Sequence, residues 1–243
     1  MRIVAITQAR MGSTRLPGKV FMDLAGKPML VRHVERAKQA ALIHELVVAT
    51  STEAVDNIIA DLCEKKGWLC FRGNESDVLD RYYRAALWRH ADIIIRITSD
   101  CPLIDPGLID QGVAQFTNDP QAFDYLSNRF PRHSFPRGLD YEVFTFGALE
   151  RAWREDTNPQ WREHVTPYLY RNPHLFRIGG ITYSKDHSTE RWTVDTQEDL
   201  VFVRKIYEHF HDDQFSWTDV LALLDRHPDW REINRHVRQK KVP

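Results

Sequence analysis

Four short apolar runs, each followed by a stretch with helical spacing, limit this chain more than any other feature. Ile3-Val4-Ala5-Ile6, Leu46-Val47-Val48-Ala49, Trp68-Leu69-Cys70-Phe71 and Asp92-Ile93-Ile94-Ile95-Arg96-Ile97 are short and mostly apolar, as strands buried on both faces are, and all but the third are rich in β-branched residues. After the first, Leu30, Val34, Ala37 and Ala41 fall on one helical face. After the second, Val55, Ile58, Ile59 and Leu62 do the same, with Ser51 or Thr52 as cap and Gly67 as stop. After the third, Ser76 precedes a helix bearing Val78, Tyr82, Ala85 and Ala86. Strand–helix alternation is the signature of a parallel sheet, and right-handed crossovers put helices on both faces. The spacing therefore predicts an α/β fold with a mostly parallel sheet, in which residues 3–6, 47–49 and 93–97 are central strands.

The pattern changes after residue 105. Asp105-Pro106 opens a helix that runs to Asn118-Asp119-Pro120. Residues 123–127 and 141–146 read as strands around a basic, Pro-rich loop at 128–137, a loop suited to covering a pocket. Residues 147–154 and 160–171 read as helices, the second bent or delimited by Pro167, and 176–182 and 192–194 as short strands. Thr196 to Asp199 resembles a capping box, followed by Leu200, Val203, Tyr207 and Phe210 on one face. Ser216 caps a last helix with Val220, Leu221 and Leu224, and the basic tail from His236 reads as frayed.

The first strand leads into Ala9-Arg10-Met11-Gly12-Ser13-Thr14-Arg15-Leu16-Pro17-Gly18-Lys19. Glycines let a backbone approach a ligand closely, and Arg and Lys supply charge and donors for phosphate oxygens. A basic, Gly-containing loop at the carboxyl end of a first strand is a phosphate cradle, unless it is an ordinary solvated turn. It is not a Walker A loop: the spacing from Gly12 to Gly18-Lys19 is one residue too long, and Val20 stands where Ser or Thr would hold magnesium.

This stretch resembles the opening motif of the sugar-acid cytidylyltransferases, such as the 3-deoxy-manno-octulosonate enzymes, with the pattern A-R-x-x-S-T-R-L-P-G-K. Ser99-Asp100-Cys101-Pro102-Leu103-Ile104, Gly138-Leu139-Asp140-Tyr141-Glu142-Val143-Phe144, Glu163-His164-Val165-Thr166-Pro167-Tyr168 and Arg191-Trp192-Thr193-Val194-Asp195-Thr196 resemble the spore-coat polysaccharide biosynthesis group of that superfamily. The resemblance runs from about residue 2 to about residue 210. It implies one GT-A-like, Rossmann-like domain over residues 1–243, with a nucleotide-binding half at 1–127, a smaller α+β acceptor-side lobe at 128–190, and a metal-ligand strand and C-terminal helices at 191–243. It implies transfer of CMP from CTP to an anionic acceptor (a sugar acid or related carbohydrate or phosphonate) with release of pyrophosphate. It implies magnesium as cofactor and a homodimer.

Residue by residue, the resemblance places Ala9, Arg10, Met11, Gly12, Ser13, Arg15, Lys19, Arg72, Asp77, Arg81 and Asp100 at the nucleotide. The region 72–81 departs from the S-G-T-(D/E)-R pattern of the octulosonate enzymes, and an ordinary capped helix start is its alternative role. Arg10, Arg15, Lys19 and Asp100 are the catalytic set. Arg137, Asp140, Glu142, His164 and Arg191, with Arg132 nearby, are candidates for the acceptor side, where Arg suits a carboxylate, phosphate or phosphonate, with a structural role as the alternative for His164. Asp100 and Asp195 each follow a predicted strand, at the sheet edge where open α/β folds bind ligands. They are the metal pair, with helix capping as the alternative for Asp195. Nucleotidyl transfer needs positioning and charge stabilisation rather than an enzyme nucleophile, and Cys101 reads as a small buried residue. His209 and His211 do not share a helix face and are discounted as ligands.

The rival readings are a glycosyltransferase on the same sheet, which usually carries a D-x-D-like pair where this chain has one aspartate, and a non-enzymatic nucleotide-binding module. A net charge of −1 predicts no nucleic-acid partner. Three cysteines without metal spacing indicate neither a disulfide framework nor a zinc site. No run has the length of a membrane span or the form of a signal peptide, so the expectation is a cytoplasmic protein without a membrane partner.

Overall fold

A computed structural model describes residues 1–119 and 121–239; Pro120, expected at a helix end, and the last residues of the basic tail lie outside the described residues. The predicted alternation is present. β1 (Ile3–Gln8) leads through the basic loop to a small hairpin, β2 (Asp23–Leu24) and β3 (Lys27–Pro28), and to α1 (Met29–Ala37). β4 (Glu45–Ser51), α2 (Asn57–Lys66), β5 (Leu69–Gly73), α3 (Val78–Trp88), β6 (Ile93–Thr98) and α4 (Pro106–Asn118) follow. The chain then runs through β7 (Tyr125–Ser127), β8 (Glu142–Thr145), α5 (Phe146–Glu155), α6 (Pro159–His164), α7 (Pro167–Tyr170) and β9 (Ile178–Gly180), and ends on α8 (Gln197–Phe210) and α9 (Trp217–Arg226).

The main sheet has seven strands in the order β5-β4-β1-β6-β8-β7-β9. β5, β4, β1 and β6 are mutually parallel, and β8 runs antiparallel to both β6 and β7. Alternate side chains of each central strand enter different cores, as the two-residue period of a strand dictates. Ala5, Val48 and Ile95 pack on the side of α1, α2, α4, α8 and α9, and Val4, Ile6, Val47 and Ile94 on the side of α3 and α5. Residues 128–190 contribute β8 and β9 to this same sheet.

Local chemistry shifts several boundaries. The Asn74 side chain accepts from Ser76 N and Asp77 N, so Asp77 rather than Ser76 caps α3, taking Asp80 N at 2.9 Å. Neither Ser51 nor Thr52 caps α2: Ser51 ends β4, and a short 3-10 turn, Ala54–Asp56, intervenes and leaves Val55 and Ile58 exposed. Ala41 lies beyond the end of α1. The helix expected over 160–171 is two helices, because Val165 has φ 71°, outside helical geometry. The strand expected over 176–182 keeps only Ile178–Gly180. Residues 192–194 form no strand: the segment is fixed instead by a backbone bridge from Arg191 to Arg137 and by Val194 N donating to Asp100 O at 2.8 Å. The expected capping boxes at Thr196 and Ser216 are present. Just before the tail the chain turns back on the body, with Asn234 buried and donating to Arg191 O. Among the described residues no helix is long and apolar enough to cross a membrane.

Candidate active site

The parallel arrangement sends the ends of β1 and β6 to one edge of the sheet. The loop after β1 is tied down at several points: Ala9 N donates to Ala49 O, Met11 N to Asp56 Oδ1 at 2.7 Å, and Gly18 N to Met11 O. Gly18 has φ 69°, a left-handed conformation that costs Gly little, and it starts the 3-10 turn that carries Lys19 inward.

Lys19 meets both aspartates expected at the metal. Its Nζ lies 3.1 Å from Asp100 Oδ2, 2.9 Å from Asp195 Oδ1 and 2.8 Å from Val194 O. Burial works to lower the Lys19 pKa, but the charges of Asp100 and Asp195 outweigh it and raise it. Burial likewise works to raise the Asp100 carboxyl, but Lys19 and a hydrogen bond from Thr98 bring it down to about 2. The other oxygen of Asp195 takes Arg15 Nη2 at 2.9 Å and Arg191 Nη2 at 3.0 Å. Arg191 is held in turn by both oxygens of the fully buried Asp199. Arg191, expected at the acceptor, therefore orients Asp195.

Asp100 and Asp195 open on a cavity of about 800 Å³. Its walls include four more residues expected from the sequence, Arg137, Asp140, Glu142 and His164. Glu142, at the floor, accepts from Arg96 at 2.5 Å, Tyr125 OH at 2.6 Å and Thr166 Oγ1 at 2.7 Å. His133 Nε2 lies 3.0 Å from Asp140 Oδ1. Burial pushes the Asp140 carboxyl up, and His133 and Arg129 more than offset it, so its pKa is lowered. Gly138 fastens this wall to the segment before Asp195: with φ 106°, a side chain there would put Cβ 2.6 Å from Thr193 N. Arg137 and the 192–194 segment can pack together because that space is free.

The remaining nucleotide-side candidates lie along the same edge, outside this cavity. Arg10 reaches towards Glu163 at 3.5 Å and Glu75 at 4.0 Å, and Gly12 faces Glu75. Ser13 accepts from Leu16 N inside the loop. Arg72 donates to Ser51 O and Glu53 O, bracing the end of β4. Asp77 pairs with Arg162 of α6 at 2.8 Å, and buried Arg81 donates to Asn74 O. Arg132 is exposed and does not line the cavity. Cys101 is buried, as expected.

Sequence reasoning passed over Arg96, Arg129, His133, Thr166 and Tyr170, all in the cavity wall. Thr166 stood inside a quoted motif, and Arg129 and His133 stood in the basic loop. Arg96, mid-strand, gave its signal as a lone charge in an otherwise apolar run.

A family model described as cytidylyltransferase matches residues 4–224. The spore coat polysaccharide biosynthesis protein SpsF of Bacillus subtilis is 33% identical over 235 residues, covering 93% of this chain and 95% of its own. An uncharacterized protein of Methanocaldococcus jannaschii, MJ1063, is 39% identical over 242 residues, covering 99% and 97%. Among solved structures, a cytidylyltransferase from Leptospira borgpetersenii superposes with a TM-score of 0.91 at 34% identity, over 99% of this chain and 100% of that one.

Proposed function

The chain belongs to the cytidylyltransferase family, and on that premise we propose that it transfers CMP from CTP to an anionic acceptor of polysaccharide biosynthesis, a sugar acid or a related carbohydrate or phosphonate. The observation that carries this reading is the meeting of Lys19, Arg15, Asp100 and Asp195 at one point on the wall of a cavity large enough for an acceptor.

In this reaction an acceptor oxygen, of a hydroxyl that gives up its proton to solvent or of an already ionised phosphonate, attacks the α-phosphorus in line, and the bond to the bridging oxygen of pyrophosphate breaks. Arg10, Arg15 and Lys19 bind the triphosphate and offset the charge that grows on the leaving pyrophosphate. Arg72, Asp77 and Arg81 border the nucleoside. Arg137 binds the acceptor's anionic group. Asp140, ionised and facing the cavity, accepts a hydrogen bond from an acceptor hydroxyl, and His164 lines the same space. Glu142 already accepts from Arg96, Tyr125 and Thr166, and its part is to shape the floor.

The donor chemistry suits magnesium: two carboxylates converge on one cation position, and magnesium prefers such oxygens, completing its shell with water and phosphate. Asp100 and Asp195 would hold it, and it would supply charge stabilisation at the α-phosphate and pyrophosphate. We place the reaction in a homodimer, as the resemblance of the motifs implies, and in the cytoplasm, the compartment expected from the sequence.

The test is pyrophosphate release from each nucleoside triphosphate with a panel of sugar acids, sugar phosphates and phosphonates. CTP should be preferred, with a divalent cation required. Preference for a purine triphosphate would overturn the reading, and turnover of a nucleotide sugar would replace it with glycosyl transfer.

A further inference from the structure

Lys19 sits between the two carboxylates that a divalent cation would use. An ammonium has three hydrogens to donate, and three acceptors take them: Asp100 Oδ2, Asp195 Oδ1 and Val194 O, all within 3.1 Å. Engaged in this way, Lys19 has no hydrogen left for a phosphate oxygen. Asp195 carries Arg15 and Arg191 on its second oxygen. Of these cations, Arg191 is anchored by buried Asp199. Lys19 and Arg15 belong to the loop after β1, and the Arg15 side chain is 36% exposed.

We infer that Lys19 is the resident counter-ion of Asp100 and Asp195, and that a divalent cation replaces it only when a triphosphate draws Lys19 and Arg15 away, so that nucleotide binding opens the metal site. The inference rests on the proposed cytidylyl transfer and adds an order to it. Two carboxylates this close repel each other without a cation between them, and Lys19 holds them in place before the nucleotide arrives. A metal arriving alone must evict the ammonium of a side chain that is only 12% exposed and leave it short of acceptors. A metal arriving with the triphosphate leaves no group unpaired, because the phosphates accept what the carboxylates release.

The experiment is a Mn²⁺ titration of the full chain, read by electron paramagnetic resonance. It is done without nucleotide and then with a CTP analogue whose α,β-bridging oxygen is replaced by methylene. Without nucleotide, Lys19→Met should bind Mn²⁺ at least about tenfold more tightly than the unsubstituted protein, and adding Asp100→Asn should abolish the gain. Arg15→Gln should move affinity in the same direction by less, and it serves as the readout if near-UV circular dichroism shows Lys19→Met unfolded. Suppose neither variant tightens Mn²⁺ while the analogue-loaded protein still binds it through Asp100. The counter-ion role is then wrong and cytidylyl transfer stands. If the analogue-loaded protein has no Asp100-dependent site, the metal reading fails and this inference with it.

Discussion

At the Asp100 end of the cavity, Asp100, Asp195, Lys19, Arg15 and Arg191 are all paired with one another or with Asp199. At the other end the carboxylates are engaged but two guanidiniums are not. Asp140 is bonded to His133 and Glu142 to Arg96, whereas the Arg129 and Arg137 guanidiniums make no hydrogen bond or ion pair to any described residue. Burial works against the Arg129 charge, but Asp140 and Glu142 outweigh it and its pKa is raised. The contrast matches what each end receives in the proposed reaction. A triphosphate arriving with a metal ion exchanges partners with charges already in balance. An acceptor bringing a lone anion meets cations held ready for it.

The largest break should come from the paired end. Asp100→Asn should leave a folded protein whose turnover falls on the order of a thousandfold, since the charge stabilisation it supports is worth several kcal/mol. Asp195→Asn should also cost most of the activity, though less than Asp100→Asn. Pyrophosphate release at saturating CTP and divalent cation measures both, and near-normal turnover in a folded Asp100→Asn protein would remove the proposed metal pair. Next in size, Lys19→Met and Arg15→Gln should weaken CTP by about 10- to 100-fold, the worth of a charge-assisted hydrogen bond, with little change for cytidine. Calorimetric titration of the two ligands checks this, and equal losses would make the loop a structural turn. At the open end, Arg129→Gln should raise the acceptor KM by about tenfold and leave the KM for CTP in place. A change in both would erase the distinction between the two ends.

The paired end was legible in the sequence because its parts are local. β1, its loop, and the β6–Asp100 junction each lie within a dozen residues, and a parallel sheet must bring strand ends together. Asp195 was legible for a partly different reason than the one given: the segment before it is no strand, but its backbone hydrogen bonds to Arg137 and Asp100 fix its place at the same edge. The open end was harder to read. The loop at 128–137 showed only charge and proline, and the choice among Arg129, Arg132 and Arg137 depends on how the chain packs against residues 190–193. The role of Arg191 was hidden because its partner Asp199 looked fully accounted for by the capping box, which it also forms.

The smallest expected effect concerns what holds the paired end in place. His33 of α1 is fully buried between Thr7 Oγ1, 2.9 Å from its Nε2, and Cys101 O, 3.0 Å from its Nδ1. It thereby links α1 and β1 to the loop that carries Asp100. Nδ1–H donates to the carbonyl, and in the neutral ring that burial favours Nε2 accepts from the Thr7 hydroxyl. Burial lowers its pKa from 6.5 to about 4 despite the Cys101 carbonyl. The unfolded chain therefore binds the proton first as pH falls, and folding stability drops from about pH 6.5 down towards pH 4. Between pH 7 and pH 6 this one group should take away about 0.7 kcal/mol. Urea unfolding at the two pH values should show that loss in the unsubstituted protein, and His33→Gln should reduce it by the same amount even though the substitution lowers stability at both. An unchanged pH dependence would mean that His33 accepts a proton inside the fold, and the link between the loop after β6 and α1 would have to be redrawn around an imidazolium.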